Sequence, residues 1–193
     1  MVIQLLALAL LATVSLVLFF LVNSADGPMR ESRYTRYIPF IPAFVVPYLG
    51  LFPYVAFSML TLLFFTPVGA RFYVSLIFSA LVAALIWYFK PSRISDRPVI
   101  VPRGVFTRTV AWMYRVDPGG NSIPSSHAYT AILCSYYLTF AFPPHDVLIW
   151  GFGATIVSST LFVKQHHFVD LIAGSILALV SIGFSYLILG GLG

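Results

Sequence analysis

The amino-acid sequence predicts an all-α membrane protein in which six transmembrane helices form a single bundle. Two features of its composition lead to this fold class. Hydrophobic residues make up 60% of the 193 residues and charged residues only 9%, and the mean hydropathy is +0.94. Because soluble globular domains carry about 25% charged residues, this deficit indicates a chain that is solvated mostly by lipid.

Six stretches are apolar and long enough to cross a bilayer, which takes about 20 helical residues. They lie at 2–22, 42–65, 71–89, 127–143, 147–164 and 169–189. Since no positively charged segment precedes the first stretch, we expect a membrane helix there and not a cleaved signal peptide. The second stretch is the least regular, because three prolines near its start would kink a helix: Pro42, Pro47 and Pro53. We expect residues 1–193 to form one membrane domain.

The positive charges divide unequally between the two faces of the predicted bundle. If the spans alternate in direction, one face receives ten of the eleven Lys and Arg residues, and the other receives only Arg71. The positive-inside rule then makes the basic face cytoplasmic, in a multi-pass protein of the plasma or inner membrane. The charges form no long run, so nucleic acid is not an expected partner.

The first of three polar segments on the basic face follows the third span and runs from Lys90 to Pro98. Lys90 provides a mobile positive charge, and Arg97 provides a planar guanidinium that matches phosphate oxygens. The alternative is a basic patch that contacts lipid headgroups. Further along the same loop, Trp112 and Tyr114 suggest an interfacial segment.

The second polar segment, Gly119 to His127, leads into the fourth span. Pro124 suits the first turn of a helix, where Ser125 and Ser126 present backbone N–H groups without helical partners. Such a helix end binds anions, and His127 beside it is a candidate general acid or base. The alternative is an ordinary capped helix with a hydrogen-bonded histidine.

The third polar segment opens the sixth span with His166 and Asp170, whose i, i+4 spacing puts them on one helical face. A carboxylate bonded to one ring nitrogen would leave the other nitrogen free as a nucleophile. The alternative is a structural pair that caps the helix. His167 points elsewhere on a helix, and His145 lies on the opposite face of the bundle, so neither is included in the predicted site.

These segments together predict a phosphate-handling site at one face of the bilayer. Metal chemistry is not expected, because no Cys/His cluster has zinc spacing and the single cysteine, Cys134, lies in an apolar stretch. We therefore predict neither a metal nor another cofactor.

The order and spacing of the motifs resemble the type-2 phosphatidic acid phosphatase superfamily over about residues 85–175. The matching residues are Lys90 with Arg97-Pro98, then Pro124-Ser125-Ser126-His127, then Ser159 with His166 and Asp170. This superfamily includes lipid phosphatases, undecaprenyl-diphosphate phosphatases, soluble acid phosphatases, vanadium haloperoxidases and sphingolipid phosphotransferases.

The resemblance implies a role for each matching position. His166 would attack phosphorus and form a phosphohistidine, and Asp170 would orient it. His127 would protonate the leaving oxygen and then activate water or an alcohol. The phosphoryl oxygens would be held by Lys90, Arg97 and the backbone near Ser125 and Ser126. The resemblance implies no metal.

Two positions depart from the family pattern. Ser126 stands where the second motif usually has glycine. This change is small, because a helix N-terminus accepts serine well. Thr160 stands where the third motif usually has arginine, and Lys164 is a possible auxiliary charge. The sequence from Lys164 to Gly174 also resembles the inositol-phosphorylceramide synthase branch, whose third motif lacks the same arginine.

The function expected from the sequence is that of a membrane lipid phosphatase that cleaves a phosphomonoester or a diphosphate. One alternative is a lipid phosphotransferase with the same first half-reaction and an alcohol acceptor. A second is a non-catalytic lipid-binding or transport protein with His166 and Asp170 as a proton relay. The expected partners are a lipid phosphate and membrane lipids, and the sequence leaves the oligomeric state open.

Overall fold

A computed structural model describes residues 2–23, 27–32, 34–65 and 68–190. These residues are mostly helical, which confirms the all-α class. The helices are α1 (Val2–Val22), α2 (Val45–Leu49), α3 (Leu51–Leu62), α4 (Val68–Phe89), α5 (Val105–Val116), α6 (Ser126–Ala141), α7 (Asp146–Phe162) and α8 (Phe168–Leu189). Short 3-10 turns occur at Thr35–Tyr37, Pro42–Phe44 and Pro143–His145.

Three helical segments among the described residues are long and apolar enough to cross a membrane. They are Pro42–Leu62, Val68–Phe89 and Phe168–Leu189. Helix α1 has 21 residues, and its described side chains are apolar over Leu6–Phe19. Helices α6 and α7, with 16 and 17 residues, are short against the usual length of about 20 residues, so the six-span bundle stays a prediction.

The irregularity expected near the start of the second span has a backbone cause. Pro42–Phe44 forms a 3-10 turn, α2 ends at Leu49 and α3 begins at Leu51. Pro47 and Pro53 have no N–H group to donate to the carbonyl four residues earlier, so the helical ladder is interrupted at both positions. The result is a bent segment that brings Tyr48 of α2 into the buried interior.

The core lies between α4, α6 and α8, with α1 packed on α4 and α7 on α6. Hydroxyl groups inside it pair across helices: Tyr137 bonds Ser75 at 2.8 Å and Ser185 at 2.9 Å. Gly174 lets α8 approach the start of α6, since a Cβ there would lie 2.6 Å from the Ser125 carbonyl oxygen. Small residues of this kind let membrane helices pack closely.

The loops at one end of the bundle are joined by short backbone pairings. Strands β1 (Met29–Arg30) and β2 (Arg93–Ile94) pair in parallel, and Ser92 forms an isolated bridge with Asn121. At this same end α4 and α7 finish, while α6 and α8 begin. The three polar motifs of the sequence therefore meet in one place.

The long polar loop contains a helix, α5, which includes the interfacial segment expected at Trp112 and Tyr114. Val110 and Met113 of α5 are buried against Tyr48 and Val163, while Trp112 is 49% exposed. The Tyr114 hydroxyl donates to the Val163 carbonyl at 2.7 Å. This helix is thereby fixed to the turn that joins α7 to α8.

Candidate active site

His166 lies in the turn between α7 and α8 and is almost fully buried. Its ring Nδ1 is 2.9 Å from the carbonyl oxygen of Ser122. Because a carbonyl only accepts hydrogen bonds, Nδ1 carries a hydrogen. In the neutral form of the ring, the lone pair is then on Nε2.

Asp170 lies in the first turn of α8 with its carboxylate fully buried. Its Oδ2 accepts the backbone N–H of His167 at 2.8 Å and lies 3.6 Å from Nδ1 of His166. Its Oδ1 accepts from Arg30 Nη1 at 2.9 Å. The carboxylate therefore caps the helix and also places a negative charge beside His166, although the direct partner of that ring is the Ser122 carbonyl.

His127 lies in the first turn of α6, whose N-cap is Ser125; the Ser125 hydroxyl accepts the Ala128 N–H at 3.3 Å. The His127 ring is buried and stacks on Tyr48, with ring centroids 4.1 Å apart. Neither ring nitrogen has a hydrogen-bond partner among the described residues. The cap is thus as expected of an ordinary helix, but the histidine beside it keeps both nitrogens for another group.

The two histidine rings lie on one small cavity, with their centroids 6.1 Å apart. The cavity has a volume of about 10 Å³. Its other walls come from several elements: Phe19, Tyr48, Asp117, Gly119, Asn121, Ser122, Ser126 and Gln165. The predicted nucleophile, the predicted acid or base, and the start of α6 therefore share one polar space.

Arg97 lies behind this cavity and contacts two residues of its wall. Its guanidinium donates to the Asp117 carbonyl at 3.0 Å and to the Gln165 side-chain oxygen, and it lies over the Tyr114 ring at 4.6 Å. Burial lowers the pKa of Arg97, and the nearby Asp117 carboxylate partly offsets this. The guanidinium stays charged at neutral pH because the ordinary pKa of arginine is very high.

Gly119 makes room for this arginine. Its φ is +76°, in the left-handed region that favours glycine. A Cβ at this position would lie 2.5 Å from a terminal guanidinium nitrogen of Arg97. Position 119 therefore favours glycine for two separate reasons, its backbone conformation and the close approach of Arg97.

The structure places the remaining predicted residues at different distances from the cavity. Ser126 lines it. Lys90 directly follows α4 and has an exposed side chain that makes no hydrogen bond or ion pair to any described residue. The Thr160 hydroxyl bonds the Val157 carbonyl of its own helix at 2.7 Å.

The Lys164 side chain bonds the segment that follows β1. The residue adopts a positive φ of 54°, and its buried ammonium group donates to the carbonyl oxygens of Thr35 and Ile38. Burial lowers the pKa of Lys164. Its charge is therefore used to fix the turn against the segment after β1, and it does not face the two histidines.

Three contributions to the site were not foreseen from the sequence. They are the Ser122 carbonyl, the Arg30 guanidinium, and a hydrogen bond between His167 Nε2 and Asp96 Oδ1 at 2.7 Å. The third had a sequence signal, since a second histidine beside His166 is an ionisable residue at a membrane boundary. This pair ties the segment of the first motif to the start of α8.

A model of the PAP2 superfamily matches residues 69–192, which is well over half of the chain. The chain belongs to the PAP2 superfamily. The resemblance read from the three motifs is thereby confirmed.

A second comparison concerns a curated relative. Over 64 residues the chain is 31% identical to the inositol phosphorylceramide synthase catalytic subunit aur1 of Schizosaccharomyces pombe. This match covers 33% of the chain and only 15% of the length of that relative. No solved structure matches the chain significantly.

Membership of the PAP2 superfamily supports a phosphatase or phosphotransferase that acts on lipids. No group of three or more His, Cys, Asp and Glu side chains that could hold a metal ion occurs in the described part of the chain.

Proposed function

We propose that this PAP2 protein is a membrane lipid phosphatase that hydrolyses a lipid phosphomonoester or diphosphate through a phosphohistidine on His166. The observation that carries the proposal is the pair of histidines on one cavity. A neutral His166 that donates Nδ1–H to the Ser122 carbonyl has its lone pair on Nε2, while His127, with ring centroids 6.1 Å away, has two nitrogens without a partner among the described residues. A nucleophile and a proton carrier are the groups that a two-step displacement at phosphorus needs.

In the first step, the lone pair of His166 Nε2 forms a bond to phosphorus. The bond from phosphorus to the leaving oxygen breaks and its electron pair stays on that oxygen, which takes a proton from protonated His127. The negative charge of the bound phosphate favours this protonated form of His127. The imidazole of His166 becomes positively charged, and the Asp170 carboxylate 3.6 Å away stabilises that charge.

In the second step, the now neutral His127 takes a proton from water as the water oxygen attacks phosphorus. The bond between phosphorus and Nε2 breaks, and its electron pair returns to Nε2. Inorganic phosphate leaves, and both histidines regain their starting protonation. The same ring thus serves as acid in one half-reaction and as base in the other.

The charge that develops on the phosphoryl oxygens would be stabilised by the start of α6. Its first backbone N–H groups have no helical partners, and Ser126 lines the cavity. Arg97 adds positive charge behind the cavity wall. Lys90, exposed at the end of α4, has a long side chain that would meet the headgroup from outside.

The place of the site suits an amphiphilic substrate. The cavity lies at the end of the bundle where α4 and α7 finish and α6 and α8 begin, so a headgroup bound there leaves its chains beside the apolar helices. We propose a multi-pass arrangement of six spans with this end on the cytoplasmic side, as the excess of positive residues predicts.

A lipid phosphotransferase is the second candidate, and the similarity to an inositol phosphorylceramide synthase subunit favours it. It would share the first half-reaction, in which His166 takes up a phosphoryl-linked headgroup. His127 would then activate a lipid alcohol in place of water. Thr160 fits this candidate too, since the resembling branch also lacks the motif arginine.

The test is phosphate release from purified protein in detergent. The substrates are phosphatidate, phosphatidylglycerol phosphate, undecaprenyl diphosphate and a sphingoid phosphate, with His166→Ala as the blank. Release from one substrate, lost in the blank, supports the phosphatase and gives its substrate class. If none is cleaved, the next assay supplies a phosphodiester lipid donor with an alcohol acceptor, and product there supports the phosphotransferase.

Trapping of the covalent intermediate separates both enzymes from a non-catalytic protein. A radiolabelled substrate quenched in base should leave label on the protein, because a phosphohistidine survives base and is lost in acid. A wild-type protein that neither retains label nor turns over any donor would contradict the proposed function.

A further inference from the structure

Arg30 places a guanidinium on the Asp170 carboxylate beside His166, and it precedes the part of the chain that the family model matches. Its Nη1 donates to Asp170 Oδ1 at 2.9 Å and lies 3.5 Å from the Ser122 hydroxyl. The Arg30 side chain nevertheless remains 30% exposed. A guanidinium has five N–H donors, and both contacts use the same nitrogen. The other two nitrogens bond no described residue, which leaves their N–H groups for a further ligand.

The backbone holds Arg30 in place. It lies on β1, opposite Ile94 of β2, and its carbonyl oxygen accepts from the backbone N–H of Ser95 at 3.2 Å and from the Ser95 hydroxyl at 3.0 Å. Gly27 allows this close approach, because a Cβ there would lie 2.8 Å from the backbone nitrogen of Ser92. The arginine is thus fixed to the segment that also carries Arg97.

The other candidate residues for a charge at the third motif already bond other groups or carry no charge. Thr160 is neutral and bonds its own helix. The Lys164 ammonium group is held by the Thr35 and Ile38 carbonyls, and its side chain is buried away from the histidines. Arg97 reaches the cavity wall through Asp117 and Gln165. Arg30 is the described arginine that touches the carboxylate beside His166.

We propose that Arg30 binds the phosphoryl group of the substrate and takes the place of the arginine that the third motif lacks at Thr160. With Nη1 on Asp170, the Nη2 and Nε hydrogens would donate to two non-bridging phosphoryl oxygens. A guanidinium matches this pair of acceptors in geometry and charge. The segment before the family match would then complete the active site. This inference rests on the proposed function.

The experiment measures inorganic phosphate binding, which requires no turnover. The full chain in detergent is titrated with phosphate, and the dissociation constant is taken from the rise in Tm. Arg30→Ala should weaken phosphate binding about 10- to 100-fold, since a hydrogen bond to a charged group contributes about 1.5–3 kcal/mol. Arg30→Lys keeps a positive charge without the planar fork and should fall between Arg30→Ala and the wild type.

Arg108→Ala is the matched control, because it removes an exposed arginine of α5 on the same face of the protein. Its phosphate affinity should stay within about twofold of wild type, since a distant exposed charge is screened by salt. Equal dissociation constants for wild type and Arg30→Ala would overturn the inference, as would a wild-type protein that binds no phosphate.

A double-mutant cycle with Asp170→Asn distinguishes a direct phosphate contact of Arg30 from a purely structural role. If Arg30 contacts phosphate, Arg30→Ala should still weaken phosphate binding at least about fivefold in the Asp170→Asn background. If Arg30 acts only through the carboxylate, its replacement changes nothing in that background, and the inference fails. A wild-type protein that binds phosphate but cleaves no lipid and transfers no headgroup would contradict the proposed function and not the phosphate contact.

Discussion

The two histidines of the site differ in how the protein holds them. His166 is fixed by a hydrogen bond to the Ser122 carbonyl and has the Asp170 carboxylate 3.6 Å away. His127 is held by stacking on Tyr48, and neither of its nitrogens bonds a described residue. The polar contact fixes a tautomer, whereas the aromatic contact fixes only the plane of a ring. This difference matches the tasks of a nucleophile, which needs one defined lone pair, and a proton carrier, which must change its protonation state.

The largest effect is expected from replacement of His166, the proposed nucleophile. His166→Ala should lower turnover at least about 10,000-fold, because no other described side chain takes its place in bonding to phosphorus. Acid-labile label on the protein should disappear with it. The measurement is steady-state phosphate release together with trapping of the phosphoenzyme. A variant that keeps more than a tenth of the wild-type rate would refute the assignment of His166.

His127→Ala tests the proton carrier and should lower turnover of a lipid substrate about 100- to 1,000-fold. A substrate whose leaving group needs no proton, such as a nitrophenyl phosphate, should restore the first half-reaction in this variant and not in His166→Ala. Rapid-quench measurement of nitrophenol release reports that step. If the better leaving group brings no recovery, His127 does not donate the proton; an unchanged pH profile would lead to the same conclusion.

Asp170→Asn addresses the charge beside His166. Because the direct hydrogen bond of that ring goes to Ser122, we expect a fall in turnover of about 10- to 100-fold, the range for groups that act through another residue. Turnover and Tm should be measured together, since Asp170 also caps α8 and pairs with Arg30. A loss as large as that of His166→Ala would show that the carboxylate, and not the carbonyl, sets the tautomer.

Replacement of Tyr48 has the smallest expected effect and tests whether stacking positions His127. Tyr48→Phe keeps the ring that stacks on His127 and should leave turnover within about twofold. Tyr48→Leu removes the aromatic face and should lower turnover about 3- to 10-fold, since such pairs contribute about 0.5–1.5 kcal/mol. Equal rates for the two variants, measured by steady-state kinetics on folded protein, would show that stacking does not position His127.

The features of the site that could be predicted from the sequence depend on local spacing. The i, i+4 relation put His166 and Asp170 on one face, and the alternation of apolar stretches put all three motifs at one end of the bundle. The structure brings His166 within 3.6 Å of Asp170, but His166 lies in the turn before α8 and not on a helical face. A helix start near Ser125 was also predicted, whereas Pro124 lies outside α6 and Ser125 is its N-cap.

The features that could not be predicted depend on contacts between distant parts of the chain. Arg30 and Asp170 are 140 residues apart, and His166 and Ser122 are 44 apart. The Ser122 contact is made by a backbone carbonyl, which any residue would supply, so its identity carries no signal. Lys164 had the charge expected of an auxiliary residue, but its left-handed backbone conformation directs it to Thr35 and Ile38.

The size of the shared cavity has a kinetic consequence. At about 10 Å³ it accommodates about one water molecule, and a phosphoryl group is several times larger. If this cavity is the substrate site, we expect binding to displace wall side chains such as Phe19 or Tyr48. The observed association rate should level off at high substrate concentration, at the rate of that opening. Exchange of the wall between closed and open arrangements would then set an upper limit on turnover, independent of the chemistry at His166.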